Sequence, residues 1–289
     1  MVKQKSSYRD CLVKMNEIKN NFLQEMAISS EKRLEESRIH LSEESLLGAC
    51  QDLEERSAIE FQEGFVFITE IKKSSPSLGE ISNREFDITD QAGIYVKSGT
   101  NVISVLTEPL RFSGSLQDLK HVSKAFPETP TMRKDFLVDP YQVSEAFING
   151  ARGILLIVAM LSDDMLNQMV ERAIKHQMFV LLEVFDEKDM QRMQMILSRF
   201  KANRKNILLG VNCRDLRTLD VSFSRFEELS SLIPKDQICI AESGITKASE
   251  IKTVSKLGYK GALIGTALMK SEYPQQLLSE MRLATLEDK

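Results

Sequence analysis

Acidic and basic side chains stand at the end of an apolar run in the segment EIKKSSPSLGE, residues 70 to 80. Glu70 and Lys72 are two positions apart, so both side chains point to the same face if the run is a strand. A carboxylate and an ammonium group held side by side can accept and donate protons, which is general acid–base chemistry. Taken alone, the pair is explained equally well as a structural ion pair.

Other apolar runs along the chain end in residues of the same chemical types. They are Lys134 in RKDF, Glu183 in LLEV, Asn212 and Arg214 in GVNCRD, and Glu242 and Ser243 in AESG. The three histidines of the chain are isolated from these motifs, and an isolated histidine lacks the partner that a proton relay requires. We therefore expect proton transfer to depend on lysine and glutamate.

Eight short apolar segments, separated by helical stretches, account for the chain from residue 65 onward. They are continuous rather than alternating in hydrophobicity, which is typical of parallel strands covered by helices. The segments are residues 65–71, 102–106, 131–136, 153–159, 179–184, 207–212, 237–241 and 261–265. Eight such units predict an α/β fold, a (β/α)8 TIM barrel. An open doubly wound sheet is the rival, but no GxGxxG motif follows any segment.

The barrel prediction brings the polar strand ends together, because active sites of this fold lie at the C-terminal ends of the strands. Burying three carboxylates and two ammonium groups at one rim is costly unless they pair with one another or meet a charged ligand. We therefore predict one site at this rim that binds a charged molecule.

Small residues after the last two segments indicate what that molecule carries. ESGI and IGTALM place Gly244 and Gly265 where backbone N–H groups can face a ligand, with the hydroxyls of Ser243 and Thr266 beside them. The loops after strands 7 and 8 are the usual phosphate site of this fold. We expect a small phosphorylated ligand.

The first 64 residues lack strand-like runs and show helical spacing instead. The spaced apolar residues are Leu12, Met15, Ile18 and Phe22, and then Leu46, Leu47, Ala49 and Leu53. We interpret residues 1–64 as a helical extension packed on the barrel, and residues 65–289 as the catalytic barrel of the same structural domain.

Composition narrows the classes of function. A net charge of -4 gives no electrostatic reason to expect nucleic acid. The N-terminus has no apolar signal region, and no stretch reaches the roughly 18 apolar residues of a membrane span. Four cysteines without CxxC pairing argue against a zinc site or disulfide framework. We expect a cytoplasmic protein, a monomer or weak homodimer, without a membrane partner.

Six motifs occur in the order found in one enzyme family. They are EIKKSSPSLGEI, ISVLTEPLRFSGSLQDL, MRKDFLVDPYQVSEAFINGARGILLIVAML, LLEVFDEKDM, LLGVNCRDLRTLDV, and AESGI with ALIGTALMKS. On these motifs the barrel resembles indole-3-glycerol-phosphate synthase, a lyase of tryptophan biosynthesis. The resemblance implies ring closure, decarboxylation and dehydration of 1-(2-carboxyphenylamino)-1-deoxyribulose 5-phosphate to indole-3-glycerol phosphate, with no metal and no organic cofactor.

The resemblance also implies roles for individual residues. Lys134 matches the general acid that protonates the ketose oxygen, and Lys72 matches a lysine near the substrate carboxylate that is proposed to act in dehydration. Glu70 and Glu183 match two glutamates with base or charge-stabilising roles, whose division stays open. The other matches are ligands of the sugar hydroxyls and the amine (Asn212, Glu242) and of the phosphate (Ser75, Gly244, Gly265, Thr266).

The implied chemistry suits these residue types. An aromatic carbon that attacks a carbonyl needs a proton donor at the oxygen and carboxylates near the cationic intermediate. Arg214 and Ser243 complete the ligand-binding set. The apolar walls for the anthranilate ring are assigned to Phe112, Phe136, Leu155, Leu156, Leu216 and Leu263, although core packing equally explains the leucines.

Departures from the family pattern are few: Arg111, Cys213 and Thr266 stand where other residues are usual, and none removes a named catalytic group. Three alternatives stay open. The chain could be a Schiff-base aldolase with Lys134 as nucleophile, a non-catalytic phosphate-binding protein that works through its first 64 residues, or a paralogue that acts on a modified anthranilate.

Overall fold

The computed structural model describes residues 22–53, 57–75, 79–80 and 87–286 of the chain. Within them, eight parallel strands close into one barrel. The strands are β1 Val66–Ile71, β2 Val102–Leu106, β3 Thr131–Lys134, β4 Gly153–Ile157, β5 Phe179–Val184, β6 Ile207–Asn212, β7 Cys239–Glu242 and β8 Gly261–Ile264. Each strand pairs with the next along the chain, and β8 closes the barrel on β1. The predicted (β/α)8 TIM barrel is confirmed, and the open sheet is excluded.

The strands are apolar along their whole length because both of their faces are covered. Every residue of β1, β2, β4 and β5 is buried, with side chains alternating between the barrel interior and the surrounding helices. A short antiparallel pair, Ser74–Ser75 with Gly79–Glu80, follows β1 outside the barrel. The continuous apolar runs of the sequence are a consequence of this double burial.

Strands β3, β4 and β7 end at residues other than those predicted, and the ends of β3 and β7 carry site residues. β3 stops at Lys134 rather than at residue 136, because the Asp135 carboxylate accepts a hydrogen bond from the Phe136 backbone N–H at 2.8 Å. β4 stops at Ile157, where a 3₁₀ turn, Val158–Met160, begins. β7 runs one residue further than predicted and ends on Glu242. Lys134 and Glu242 therefore occupy the last positions of their strands.

Helices connect the strands and mostly begin where polar residues can cap them. Asp139, Ser162 and Asp186 each accept a hydrogen bond from a backbone N–H in the first turn of the helix that follows. No helix in the described ranges combines the length and the apolar character that crossing a bilayer requires. The helices are α1 Phe22–His40, α2 Glu43–Gln51, α3 Ile88–Lys97, α4 Pro109–Phe112, α5 Leu116–Ala125, α6 Pro140–Ile148, α7 Asp163–Lys175, α8 Glu187–Arg199, α9 Arg225–Ser230, α10 Ala248–Lys256, α11 Thr266–Lys270 and α12 Pro274–Leu283, with a further 3₁₀ turn at Lys201–Asn206.

The two N-terminal helices lie against the third and fourth units of the barrel. The Tyr141 hydroxyl of α6 donates to the Leu41 carbonyl at 2.9 Å, and the Gln142 amide donates to the Ser30 hydroxyl at 2.9 Å. Helices α1 and α2 confirm the helical reading of residues 22 to 51. The predicted positions Leu12, Met15 and Ile18 lie outside the described residues. The division of the chain at residue 64 stays a prediction.

A buried ion cluster fixes α1 beside the end of β3. Both oxygens of Asp135 accept hydrogen bonds from the Arg33 guanidinium, at 2.8 and 2.9 Å. Arg133 donates to the same carboxylate at 3.1 Å, and the Thr107 hydroxyl donates to it at 2.7 Å. Burial alone would raise the pKa of Asp135, but the two guanidinium groups hold it well below its ordinary value. This cluster is therefore sensitive to acid.

Replacing Asp135 by Asn should lower the free energy of unfolding at neutral pH by about 3 kcal/mol, because Arg33 loses its buried counter-charge and Arg133 is left with Glu145 alone. A carboxyl whose pKa is lower in the folded state stabilises the protein above its unfolded pKa, about 3.9, and this contribution is lost as the pH falls. The wild type should therefore lose more stability than Asp135→Asn between about pH 5 and pH 3. Urea unfolding measured across this range compares the two.

Asp163→Asn is the matched control. Asp163 pairs with Arg192 at 2.7 Å, but its side chain is 58% exposed, so its loss should cost less than about 1 kcal/mol. Equal destabilisation by both variants would contradict the importance of the buried cluster.

Candidate active site

A cavity of about 400 Å³ opens at the C-terminal ends of the strands. Residues of β1 to β4 and of β6 to β8, of the loops that follow them and of α1, α4 and α11 line it. Most of the sequence-predicted site residues lie in this lining: Glu70, Lys72, Phe112, Lys134, Phe136, Asn212, Arg214, Glu242, Ser243, Gly244, Leu263, Gly265 and Thr266. Residues from distant parts of the sequence are thus brought into one place.

Two predicted positions are placed differently, and a third is not described. Glu183 is fully buried and lies behind Lys134 rather than in the cavity wall. Leu156 is also fully buried outside the lining, because its neighbours Leu155 and Ile157 take the inward positions of the strand. Of the two explanations given for Leu156, the structure shows core packing. The side chain of Ser75 lies outside the described residues.

Glu70 and Lys72 form a close ion pair inside the cavity. The Lys72 ammonium donates to Glu70 Oε1 at 2.6 Å, and both side chains are largely buried. Burial would raise the pKa of Glu70, but Lys72 and Lys134 lower it below its ordinary value. Glu70 is therefore a carboxylate at neutral pH, held in place by one lysine and close to another.

Gly265 makes room for that carboxylate. A Cβ at position 265 would lie 2.4 Å from Glu70 Oε1 and 3.0 Å from Glu70 Cβ, far inside van der Waals contact. From the sequence, the reason expected for glycine at position 265 was that the backbone there approaches a ligand. The structure adds a second reason for glycine here, the volume that the Glu70 side chain occupies.

Lys134 is the central ammonium group of the site. Its Nζ lies 3.7 Å from Glu183 Oε2, and its side chain is 15% exposed. Burial opposes the charged form, but the neighbouring glutamates, Glu183 first among them, outweigh this and raise the pKa of Lys134 above its ordinary value. The amine is therefore protonated at neutral pH, which suits a proton donor and opposes a nucleophile.

Three phenylalanine rings form one side of the cavity. The ring centroids of Phe22 and Phe136 are 5.8 Å apart, those of Phe22 and Phe112 are 6.4 Å apart, and those of Phe112 and Phe136 are 6.2 Å apart. Sequence reasoning missed Phe22 as a site residue. Its helical spacing with the apolar residues before it indicated only a packing face, and no local signal marks its contact with residues more than 80 positions away.

The Arg111 side chain, a departure from the family pattern, binds Glu25 of α1 at 2.5 Å beside these rings.

The ends of β7 and β8 present main chain to the opposite side. Ser243 and Gly244 both have positive φ angles, 65° and 68°, and a Cβ at Gly244 would lie 2.7 Å from the Cys213 sulfur. Thr266 is the first residue of α11. Arg214 adds positive charge nearby, and its backbone N–H donates to Asn212 Oδ1 at 2.9 Å. This side is polar, whereas the phenylalanine side is apolar.

The arrangement can bind and transform one kind of molecule. A ligand with an aromatic part and an anionic part would fit between the phenylalanine rings and the glycine-rich strand ends. Lys134, Lys72 and Glu70 would then lie near the atoms between the two parts, where proton transfer can occur.

Comparisons with known proteins agree with this geometry. The family model described as indole-3-glycerol phosphate synthase matches residues 16–281. A protein of that name from Ruminiclostridium cellulolyticum is 36% identical over 265 residues, 90% of this chain and 98% of the relative. Another from Salinibacter ruber is 37% identical over 221 residues, 76% of this chain and 78% of the relative.

Solved structures share the fold at much lower identity. A crystal structure of 3-hexulose-6-phosphate synthase has a TM-score of 0.58 and 17% identity, and the match covers 76% of this chain and 99% of that one. At this identity the likeness supports the barrel fold alone.

The protonated state of Lys134 can be measured by its reactivity with an acylating reagent, since only a neutral amine attacks. We expect Lys134 to react far more slowly than Lys175, whose side chain is 68% exposed. The double variant Glu183→Gln/Glu242→Gln removes two of the carboxyl groups that act on Lys134 without opening the site, so the pKa of Lys134 should fall and its labelling rate should rise about tenfold or more. Mass spectrometry of the labelled peptides gives both rates, with the Lys175 peptide as the internal control. An unchanged Lys134 rate in the variant would show that burial, not charge, protects it.

Proposed function

The chain belongs to the indole-3-glycerol phosphate synthase family, and on this basis we propose that it converts 1-(2-carboxyphenylamino)-1-deoxyribulose 5-phosphate to indole-3-glycerol phosphate. In this reaction a carbon of the aromatic ring bonds to the ketose carbonyl carbon. The bond to the carboxyl group then breaks with release of carbon dioxide, and a hydroxyl group leaves as water. The observation that carries the proposal is the protonated Lys134 at the centre of a cavity with one aromatic and one polar side.

Lys134 is the proposed general acid of ring closure. As the aromatic carbon attacks, negative charge develops on the carbonyl oxygen, and a proton donor at that oxygen lowers the barrier. The surrounding carboxylates supply the charge that stabilises a cationic ring intermediate. Lys134 is held by Glu183 from behind, so its ammonium group can face the cavity.

Glu70 and Lys72 are the proposed pair for dehydration. The loss of water requires a proton at the leaving hydroxyl and removal of a proton from the neighbouring carbon. An ammonium and a carboxylate 2.6 Å apart can supply both functions to adjacent atoms of one ligand. Lys72 is also proposed to pair with the substrate carboxylate before that group is lost.

The anthranilate ring is assigned to the pocket of Phe22, Phe112 and Phe136, with Leu155 and Leu263 beneath it. Ring-to-ring contacts of this kind favour an aromatic ligand beyond simple area burial. The assignment adds Phe22 to the residues expected from sequence. It also places the reacting ring on the side of the cavity where Lys134 ends its strand.

The phosphate is assigned to the ends of β7 and β8. Ser243, Gly244, Gly265 and Thr266 offer hydroxyl and backbone N–H donors there, and Arg214 offers charge. Asn212 and Glu242 lie between the two ends of the ligand and are proposed to contact the sugar hydroxyls and the amine. With its ring and phosphate at opposite sides, the ligand's ketose carbon would lie over Lys134.

Lys134→Ala should reduce turnover by at least about a hundredfold, the typical contribution of a general acid. The assay is indole fluorescence from purified protein and the unsubstituted substrate, and the background is low because the chain contains no Trp. The variant should still bind indole-3-glycerol phosphate, since the phosphate contacts lie on other strands. Lys175→Ala on the exposed surface of α7 is the control. Full activity of Lys134→Ala would remove the acid assignment.

The aldolase alternative predicts a different outcome. A Schiff base needs a neutral lysine, whereas Lys134 is held in its ammonium form. Borohydride added with a keto-phosphate should therefore leave the mass of the protein unchanged. A covalent adduct on Lys134 would favour the aldolase reading.

A further inference from the structure

Glu183 and Glu242 are placed side by side by the strand register. Glu183 of β5 stands opposite Gly210 of β6 in the parallel ladder. The Glu242 carboxyl of β7 reaches across to the same point, since a Cβ at Gly210 would lie 2.0 Å from Glu242 Oε1. Gly210 thus leaves the gap that the Glu242 carboxyl fills, next to the Glu183 side chain.

These two carboxyl groups are buried without enough partners. Glu183 is 0% and Glu242 is 1% exposed. Within the described part of the chain, none of their four oxygens has a hydrogen-bond partner. One cation, Lys134, approaches Glu183 at 3.7 Å, beyond hydrogen-bond length.

Among the residues that the structure describes, the other ionisable groups around the pair do not supply the missing positive charge. Glu70 adds a further negative charge and is already paired with Lys72. Cys213 follows the last residue of β6 and Cys239 is the first residue of β7. Burial raises the pKa of both thiols, so they are neutral. Arg214 acts on Glu70 from the loop after β6.

Two buried carboxylates in contact cannot both ionise when one ammonium group serves them. We propose that Glu183 and Glu242 share a single proton in the unliganded protein, and that Glu242 presents this proton to the ligand as a hydrogen-bond donor. Burial and the neighbouring Glu183 both raise the pKa of Glu242 well above its ordinary value, which supports the same assignment.

The shared proton would change what the site recognises. This step rests on the proposed function. With one carboxyl neutral, the cations at the cavity outnumber the carboxylates, which favours a ligand with a phosphate and a carboxylate. A neutral Glu242 donates to an oxygen of the sugar, whereas an ionised Glu242 would accept a hydrogen bond and repel the anionic ligand. Glu183 keeps the negative charge that holds Lys134 in its ammonium form.

Infrared spectroscopy tests the proton directly, because the carbonyl stretch of a neutral carboxylic acid is separate from the carboxylate bands. At about pH 8 the wild type should show one such band, although an exposed glutamate is fully ionised there. Glu183→Gln and Glu242→Gln should each abolish it, since the carboxyl left behind faces Lys134 alone and ionises. Circular dichroism of both variants establishes that they are folded. A wild type without the band, or a band that persists in either variant, would overturn the sharing.

Asp189→Asn is the control. Asp189 is another buried acid with a raised pKa, about 6, caused by burial and then by Asp186. Its band should appear only below about pH 6 and should vanish in this variant, while the band at pH 8 persists.

Addition of indole-3-glycerol phosphate separates the two proposals. Its binding should shift the band at pH 8, because the Glu242 proton gains an acceptor, and an unshifted band with bound ligand would overturn the donor role. The band can be present in a protein that forms no indole, and indole can form without it. Failure of the shared proton and failure of the proposed reaction are therefore observed independently.

Discussion

The interior volume at the mouth of the barrel is the constraint on which the site depends. Eight strands leave space for only a limited set of inward side chains, so a long polar side chain on one strand requires a gap on its neighbour. Gly265 on the β8 side leaves that gap for Glu70, and Gly210 on β6 leaves it for Glu242. Each glutamate thus packs into the space left by a glycine at the adjacent strand. The parallel register sets the positions of both residues together.

Buried charges are also balanced at the outer edge of the site. Asp135 follows directly after Lys134, yet its carboxylate binds Arg33 and Arg133, whereas Lys134 approaches Glu183. This second ion cluster joins α1 to the end of β3, and α1 begins with Phe22 in the cavity wall. The chain therefore separates its charges into a catalytic group that faces the cavity and an anchoring group that faces the helix. One short motif, RKDF, contributes to both.

Much of the fold and the site could be predicted from the sequence because those features are local in the chain. A buried parallel strand is a continuous apolar run, and a residue at its C-terminal end must lie at the rim, so Lys134, Asn212 and Glu242 were found from position alone.

Contacts between residues on different strands leave no local pattern in the sequence. The sequence does not indicate that Glu183 lies behind Lys134, or that Gly210 belongs with Glu242, because both facts depend on register. Phe22 was missed for a related reason, since its helix joins the barrel through contacts a hundred residues apart, as between Arg33 and Asp135. The two explanations of Leu156 stayed open because a shift of one residue along a strand decides whether its side chain points inward.

Phe22 differs from the other two rings of its pocket in one respect. Phe112 ends the short helix α4 after β2, and Phe136 lies in the loop after β3. At both positions a change of side chain disturbs neighbours that hold the barrel together. Phe22 enters from a helix outside the eightfold repeat, so the shape of the pocket can vary there independently of the ladder and of the proton-transferring groups. Tolerance for bulkier or substituted rings is therefore a trait that could evolve, or be engineered by saturation mutagenesis, at this position without rebuilding the reaction centre.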